Sequence, residues 1–342
     1  MRIGIANDLA LAREALRRAV VSTLEHQVVW LANDGAAALA AALREPVDLI
    51  LMDLIMPVVD GVEATRRIMA EAPCAILVVT ASVSRNVGKV YEAMGLGALD
   101  AVDTPTLGAG GDVAGAATLL AKIATIGKLT GKSSGNYAVI RAAPTPAPVQ
   151  PIPGTPLVAI GASTGGPNAL AEVLGSLPRT WDAAMVVIQH VDVAFASGLA
   201  RWLKEKSGLA VEIAEAGARP EAGKVALAAT NDHLVLDPSG RFAYIMEPKT
   251  LYFRPSLDIF FESAAAHWRS GGAAVVLTGM GRDGAAGLLR LRHAGWLTIA
   301  QDEATSVVWG MPRAAAEVGA AALVLPISQI GAALLENIPH RA

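Results

Sequence analysis

The sequence holds a single cysteine, Cys74, and aromatic residues make up only 4% of it. One cysteine excludes an internal disulfide and a metal site built from several thiolates. No apolar run approaches the ~18 residues that cross a bilayer, and the charged Arg2 and Asp8 stand where a secretory signal needs an apolar core. The net charge of −3 lacks the basic excess of nucleic-acid binders. We therefore expect a cytoplasmic protein that does not insert into a membrane and binds no DNA or RNA.

The 342 residues exceed the length at which one hydrophobic core usually keeps growing, so the length favours two domains. In the first part, stretches of helical spacing alternate with short apolar runs, which span residues 2–7, 27–32, 47–53, 75–81 and 98–103. Such near-continuous apolar runs are typical of parallel strands that are buried on both faces. The pattern predicts an α/β domain of five βα units over residues 1–127.

A change of composition marks the domain boundary. Residues 128–154 include Pro144, Pro146, Pro148, Pro151 and Pro153, and repeated prolines predict a semi-rigid linker. Beyond it, apolar runs return at 157–161, 183–190, 273–279, 296–301 and 322–325. They predict a second α/β domain over 155–342, with a mostly parallel, doubly wound sheet. Residues 224–247 differ, with short strands around a turn, and predict a small antiparallel insertion.

The first strand of the second domain ends in a turn of small residues, Gly161-Ala162-Ser163-Thr164-Gly165, and Pro167 opens the next helix. This context suits a nucleophile elbow, in which the serine hydroxyl projects and the following N–H groups face a developing oxyanion. Such turns also serve packing alone. A phosphate cradle is the poorer alternative, because the glycines lack the dinucleotide spacing and no lysine follows.

A serine nucleophile needs a base, and His190 ends the next apolar run, at the same edge of a parallel sheet. His233, in a turn with Asn231 and Asp232, is the main alternative. Asp283 lies in a glycine-rich loop after a third apolar run and is the candidate acid that orients the imidazole. Capping of the following helix is its structural alternative. Three strand ends that each offer one member of a Ser-His-Asp triad predict a serine hydrolase.

Five short motifs stand in the second domain: Ile-Gly-Ala-Ser-Thr-Gly-Gly at 160–166, Gln189-His190, Arg254-Pro255-Ser256-Leu257-Asp258, Leu-Thr-Gly-Met-Gly-Arg-Asp-Gly-Ala at 277–285, and Gly310-Met311-Pro312. In this order they resemble the chemotaxis protein-glutamate methylesterases. The resemblance implies that Ser163 is the nucleophile, His190 the general base and acid, and Asp283 its orienting partner. It also implies oxyanion donors in the backbone around Thr164 and Met280.

The same resemblance implies the substrate. It is a glutamyl γ-methyl ester on a methyl-accepting chemoreceptor, and the family also deamidates certain receptor glutamines. The implied esterase reaction needs no cofactor.

The first domain carries acids at strand ends, with Asp8 after the first strand, Asp53 after the third, and Thr80 at the end of the fourth. Two converging carboxylates suit Mg²⁺, although strand-end acids also cap helices. The pattern resembles response-regulator receivers, which have a flavodoxin-like (βα)5 fold. The resemblance makes Asp53 the phosphoacceptor, with Mg²⁺ held by Asp8 and Asp53. Thr80 is then the switch hydroxyl, and a histidine kinase is the usual phosphodonor.

Two positions depart from the receiver pattern. Asn7 stands where receivers usually have a second acid, and Thr104 stands where they usually have a lysine. We expect both changes to weaken the contacts to metal and phosphate. With Met52 to Pro57, they resemble the branch that serves Wsp-type surface-sensing pathways, which feed a diguanylate cyclase.

Two other functions compete with a phosphorylation-regulated methylesterase. One is a receiver-controlled scaffold with an inactive hydrolase fold, and the other is a general small-ester hydrolase. The intact set Ser163, His190 and Asp283 argues against a scaffold, which has no use for it. The fused receiver argues against an unregulated esterase.

Overall fold

The computed structural model describes residues 1–81, 86–108, 113–129, 154–191, 193–249, 251 and 254–338. The chain separates into two compact units, Met1–Tyr137 and Ala138–Ala342. Nearly all of the proline-rich stretch lies outside the described residues, so the boundaries 1–127, 128–154 and 155–342 stay predictions. Within the described part of the chain, no helix has the length and apolarity to cross a membrane.

The first unit is an alternation of strands and helices. Its main strands are β1 (Arg2–Ala6), β2 (Gln27–Ala32), β3 (Leu49–Met52), β4 (Ala75–Thr80) and β5 (Asp100–Asp103). Its helices are α1 (Ala10–Val21), α2 (Gly35–Arg44), α3 (Gly61–Glu71), α4 (Val87–Gly95) and α5 (Ala116–Leu129). The five strands form one parallel sheet in the order β2-β1-β3-β4-β5, which confirms the (βα)5 prediction. A short antiparallel ribbon that the apolar pattern does not predict joins β6 (Thr106–Leu107) to β7 (Val113–Ala114).

The order of this sheet places the predicted acids. β3 and β4 are buried along their whole length, which explains why their sequences are apolar without alternation. After β1 the chain continues to β2, on one side of the β1-β3 pair, and after β3 it continues to β4, on the other side. Open α/β sheets bind ligands in the crevice at such a reversal, beyond the carboxyl ends of the strands. Asp8 and Asp53 follow these two strands, so the fold brings both to that crevice.

Val58, in the loop between β3 and α3, has a φ of 64° and is 87% exposed. A β-branched residue in the left-handed region is strained by about 1–2 kcal/mol, and asparagine enters this region at lower cost. We expect Val58→Asn to raise the free energy of unfolding of the first unit by about 1 kcal/mol, as measured by denaturant titration. A lower free energy of unfolding in a variant with unchanged circular dichroism would contradict this account.

The second unit contains nine strands among its described residues: β8 (Leu157–Ala162), β9 (Ala184–Gln189), β10 (Ala210–Ile213), β11 (Lys224–Leu227), β12 (His233–Leu236), β13 (Phe242–Ile245), β14 (Gly272–Val276), β15 (Leu297–Gln301) and β16 (Leu323–Leu325). Its helices are α6 (Gly166–Gly175), α7 (Val193–Ser207), α8 (Leu257–His267), α9 (Ala285–His293), α10 (Met311–Glu317) and α11 (Ile327–Asn337). Seven strands form a parallel sheet in the order β10-β11-β9-β8-β14-β15-β16, which confirms the predicted fold class.

The antiparallel insertion is smaller than the sequence predicts over 224–247. β12 and β13 do form an antiparallel hairpin. β11 instead pairs in parallel with β9, so its assignment to the antiparallel stretch is wrong. β10 pairs with β11 and is a strand that the apolar runs did not reveal. Both errors arise because these strands are short and pair with partners that local patterning does not identify.

The hairpin and α8 are fixed to the main sheet by a shared core. Leu234 of β12, Phe260 and Phe261 of α8, and Val276 of β14 belong to one cluster and have no exposed surface. Burying a side chain of this size stabilises a fold by roughly 1.5–3 kcal/mol. The first turn of α8 is therefore held rigidly against the sheet.

Candidate active site

Ser163 and His190 follow two neighbouring strands of the second sheet. β8 and β9 pair in the register Ala162↔Gln189, and the ladder continues with a 3.0 Å hydrogen bond from the His190 N–H to the Ala162 carbonyl. Ser163 and His190 are thus the next residues on adjacent strands, whose backbones lie ~4.8 Å apart. The chain continues from β8 to β9 on one side and from β14 to β15 on the other, so the sheet order reverses between β8 and β14. The two predicted residues therefore share the edge of the sheet where ligands bind.

Ser163 stands in the strand-turn-helix context that the sequence predicts. Its N–H donates to the Thr278 carbonyl at 3.0 Å, and its carbonyl accepts from the N–H of Gly166 at 2.8 Å. Gly165 has a φ of 76°, which residues with a Cβ rarely adopt. Ser163 is 7% exposed. The turn therefore holds a nearly buried serine at the start of α6.

Gln189 supports this turn from the neighbouring strand, a contact that sequence analysis missed. Its side chain is fully buried, and its Nε2 donates to the Ser163 carbonyl at 2.8 Å and to the His190 carbonyl at 3.3 Å. The amide ties the backbone of the candidate nucleophile to that of the candidate base. The sequence does contain a signal for this contact, because Gln189 is a polar residue at the end of an apolar strand.

His190 and Asp283 are in direct contact. Nε2 of His190 lies 2.8 Å from Oδ2 of Asp283, and the two side chains are 6% and 11% exposed. Burial by itself raises the pKa of Asp283, but the hydrogen bond and the charge of His190, with the hydrogen bonds from Ser256 and Leu257, hold this pKa below its ordinary value. A buried carboxylate that stays ionised can hold an imidazole ring in one orientation and stabilise its protonated form.

Asp283 is anchored to the first turn of α8. Its Oδ1 accepts from the Ser256 hydroxyl at 2.7 Å and from the Asp258 N–H at 3.2 Å, and its Oδ2 accepts from the Leu257 N–H at 2.7 Å. The structural alternative for Asp283 was a cap on α9. That alternative is wrong, because the α9 cap residue is Gly284 without a side-chain hydrogen bond. The orphan N–H groups that Asp283 satisfies belong to α8 instead.

Asp258, in the first turn of α8, makes the corresponding contact to the first turn of α9. Its Oδ1 accepts from the Gly287 N–H at 2.7 Å, so an acid of α8 caps the start of α9, while Asp283, in the loop before α9, caps the start of α8. Burial, and next the negative charge of Asp283, raise the pKa of Asp258. Ser256 and Asp258 belong to a motif of the sequence, but their contacts to Asp283 and α9 are not predictable from it. Contacts across two helices cannot be read from local spacing.

His233, the alternative base, has a different place. Its ring is fully buried, and its Nδ1 accepts from the backbone N–H of Ser256 at 3.1 Å. Its Nε2 lies 3.4 Å from the Pro248 carbonyl. The ring therefore supports the start of α8, while His190 contacts the acid.

Thr164 and Met280, the proposed oxyanion residues, lie in adjacent loops. Thr164 is 6% exposed, directly after Ser163, and its carbonyl accepts from the Thr278 hydroxyl at 2.9 Å. Met280 follows Gly279, where an added Cβ would lie only 2.8 Å from the Ser163 Cβ. Only glycine permits so close an approach of the two loops.

Among the described residues, no group of three or more His, Cys, Asp or Glu could hold a metal.

Asp53 lies at the corresponding edge of the first sheet. It is 7% exposed, and burial, with a smaller contribution from the charge of Asp8, raises its pKa to about 6. Nδ2 of Asn7 donates to Oδ2 of Asp53 at 2.8 Å, while Oδ1 of Asn7 accepts from the Leu9 N–H at 2.9 Å. Asn7 therefore acts as a donor to Asp53. Two neighbouring carboxylates, one of them costly to ionise, form a donor set that fits Mg²⁺.

Thr80 ends β4 close to this site. Its hydroxyl accepts from Nδ2 of Asn86, just before α4, at 2.9 Å, and its carbonyl accepts from the Thr104 N–H at 2.9 Å. Thr104 offers a hydroxyl where a lysine would offer a positive charge, so it cannot form a charge-assisted bond to a phosphoryl oxygen. The nearby cation Lys89 is paired with Asp60 at 2.9 Å.

We expect Asn7→Asp to lower the Mg²⁺ concentration needed for half-maximal phosphorylation by about tenfold. The added carboxylate replaces a donor to Asp53 with a third negative group, and cation affinity rises with ligand charge. Phosphate incorporation measured across a Mg²⁺ titration tests this. Gln27→Glu is the control, because it adds the same charge at an exposed position of the same unit, at the opposite end of β2 from Asn7. Equal Mg²⁺ dependence in Asn7→Asp and the parent chain would remove the explanation.

These features define a two-part regulatory hydrolase: an α/β domain with serine, histidine and aspartate at one sheet edge, preceded by a receiver. The CheB methylesterase family matches residues 158–334, and the response regulator receiver domain matches residues 3–106. The chain belongs to the CheB methylesterase family and carries an N-terminal receiver domain.

Individual proteins show the same relation over the whole chain. It is 55% identical over 338 residues, 99% of this chain and 98% of the other, to protein-glutamate methylesterase/protein-glutamine glutaminase 4 of Burkholderia thailandensis. It is 53% identical over 336 residues, 98% of this chain and 99% of the other, to protein-glutamate methylesterase/protein-glutamine glutaminase 1 of Pseudomonas fluorescens. The crystal structure of the Thermotoga maritima CheB methylesterase catalytic domain matches with a TM-score of 0.52 and 37% identity, over 54% of this chain and all of that chain.

Proposed function

We propose that this methylesterase hydrolyses glutamyl γ-methyl esters on a methyl-accepting chemoreceptor, with Ser163 as nucleophile, His190 as general base and acid, and Asp283 as its orienting partner. The observation that carries the proposal is the 2.8 Å contact between His190 and Asp283, beside Ser163 at the reversal point of the sheet. The names of relatives that are 53–55% identical over the whole chain support the substrate class.

The reaction follows from this geometry. The Ser163 hydroxyl attacks the ester carbonyl and gives its proton to His190. Because Nε2 of His190 contacts Asp283, Nδ1 is the nitrogen that takes the proton. N–H groups around Thr164 and Met280 stabilise the oxyanion. His190 then protonates the leaving methanol, and water attacks the acyl-enzyme to restore the carboxylate and the serine. The same steps on a glutamine side chain release ammonia.

Phosphorylation of Asp53 regulates this reaction, with a histidine kinase as donor. Asp8 and Asp53 hold Mg²⁺, which balances the negative charge of the phosphoryl oxygens when it is bound. Thr80 is the hydroxyl that responds to the phosphoryl group. Membership of the Wsp-type branch, drawn from Asn7, Thr104 and the motif from Met52 to Pro57, stays a prediction.

A direct test uses a methyl-labelled receptor fragment and counts released methanol, with the full chain and with Asp53→Asn, each with and without a small phosphodonor. Methanol release that rises with phosphodonor only in the parent chain supports the proposal. A folded chain that binds the receptor but releases no methanol under either condition would favour the scaffold function. An unmethylated fragment with glutamine at the modified positions, assayed for ammonia, tests deamidation.

A further inference from the structure

Ser256 makes the one side-chain hydroxyl contact to Asp283 among the described residues. Its Oγ lies 2.7 Å from Oδ1 of Asp283, and Ser256 is 1% exposed. Oγ also accepts from the Ile259 N–H at 3.5 Å, which places Ser256 at the N-cap of α8. Its backbone is fixed in turn by the bond from its N–H to His233. A buried hydroxyl with a fixed backbone is a donor of defined direction.

The donors that the start of α8 offers to Asp283 fall into two kinds. Those from Leu257 and Asp258 are backbone N–H groups, which any residue would supply. The Ser256 hydroxyl depends on the side chain, and it holds Oδ1 while Oδ2 faces His190. A hydrogen bond to one carboxylate oxygen fixes the rotation of the carboxyl group and draws negative charge away from the other oxygen. Both effects reach the imidazole through Asp283.

We propose that Ser256 is a positioning residue for ester hydrolysis, whose hydroxyl sets the orientation and the effective charge of Asp283 where this acid contacts His190. This inference rests on the proposed roles of Ser163, His190 and Asp283. Ser256 touches no reacting atom itself and acts through the acid.

Ser256→Ala should lower kcat about 10- to 100-fold, because the carboxyl group of Asp283 loses the hydrogen bond that fixes its rotation toward His190, with KM within twofold of the parent chain. The matched control is Ser263→Ala in the same helix. The Ser263 hydroxyl also makes two hydrogen bonds, to the Phe260 carbonyl and from the Leu236 N–H, but has no contact to Asp283. Its kcat should stay within twofold of the parent. Ser256→Thr, which keeps the hydroxyl, should recover most of the activity.

The pH profile separates positioning from a loss of stability. Without the Ser256 donor, more negative charge remains on Asp283 to stabilise the protonated imidazole, so the acid limb of kcat/KM moves up by about 0.5 pH units. The other ionisable groups on the elements around Asp283 are unchanged in both variants: Asp258 and Glu262 on α8, His233 on β12, and Arg282 and Arg290 at α9. Ser263→Ala should leave the limb in place.

A double-mutant cycle gives the decisive result. In the Asp283→Asn background, Ser256→Ala should cause no further loss of kcat, because Ser256 acts through the carboxylate. If Ser256→Ala does not fold, Ser256→Cys replaces it, since a thiol is a weak donor. Equal kcat for the Ser256 and Ser263 variants, an unmoved acid limb, or the same loss in both backgrounds would overturn the inference. Absence of methanol release from the parent chain would instead overturn the proposed function.

Discussion

Ser163→Ala and His190→Ala are each expected to reduce methanol release by roughly 10⁴- to 10⁶-fold. A nucleophile and its general base act as one unit, so the loss of either removes most of the chemistry, and the double variant should be no worse than each single one. The measurement is the initial rate of methanol release from a methyl-labelled receptor fragment at saturating substrate. Binding of the fragment should persist in both variants.

Asp283→Asn provides the graded comparison. It keeps the size of the side chain but removes the charge that stabilises the imidazolium, so its loss should be severe and still smaller than that of Ser163→Ala. Thermal unfolding of each variant checks that the second unit remains folded. Release near the parent rate from folded Ser163→Ala would eliminate Ser163 as the nucleophile and favour the scaffold function.

The strand-end positions of the candidate active-site residues were predictable from the sequence. Ser163, His190 and Asp283 each follow an apolar run, and parallel strands bring their carboxyl ends to one edge whatever the details of packing. The sequence could not show which group holds the acid. Asp283 is bonded to Ser256 and Leu257, more than twenty residues earlier in the chain, through a contact that exists only after α8 packs on the sheet.

The receiver site was also predictable only in part from the sequence. The replacement of an acid by Asn7 predicts a weaker metal site from charge alone. The structure adds that the Asn7 amide donates directly to Asp53. Which way an amide side chain points depends on its hydrogen-bond partners, and here the Leu9 N–H donates to the amide oxygen of Asn7. No pattern of sequence spacing contains that information.

Asp53→Asn is expected to abolish incorporation of labelled phosphate and the increase of methanol release that a phosphodonor causes. Asp53 is the proposed acceptor at the reversal point of the first sheet, and an amide nitrogen cannot replace a carboxylate oxygen as the attacking atom. Labelling with a small-molecule phosphodonor in the presence of Mg²⁺, followed by mass spectrometry, measures this directly. Asp60→Asn, at the N-cap of α3, should still be labelled. Label at another residue in Asp53→Asn would contradict the assignment.

The same substitution should make the first unit more stable at neutral pH in the absence of Mg²⁺. Burial raises the pKa of Asp53 to about 6, so the fold disfavours the ionised carboxylate. The parent chain therefore loses stability as pH rises from about 4, the ordinary pKa of aspartate, to about 6, and the full loss persists above that. Asp53→Asn avoids it and can still accept the bond from Asn7. The free energies of unfolding of the parent chain and Asp53→Asn, measured by denaturant titration of the first unit, should agree below about pH 4 and differ above pH 6.

Asp60 provides the comparison. Despite its burial, hydrogen bonds from Glu63 and Lys89 hold its pKa low, so Asp60→Asn should instead destabilise the unit at neutral pH. Equal stability of parent and Asp53→Asn across this range would mean that the carboxylate is not strained by burial.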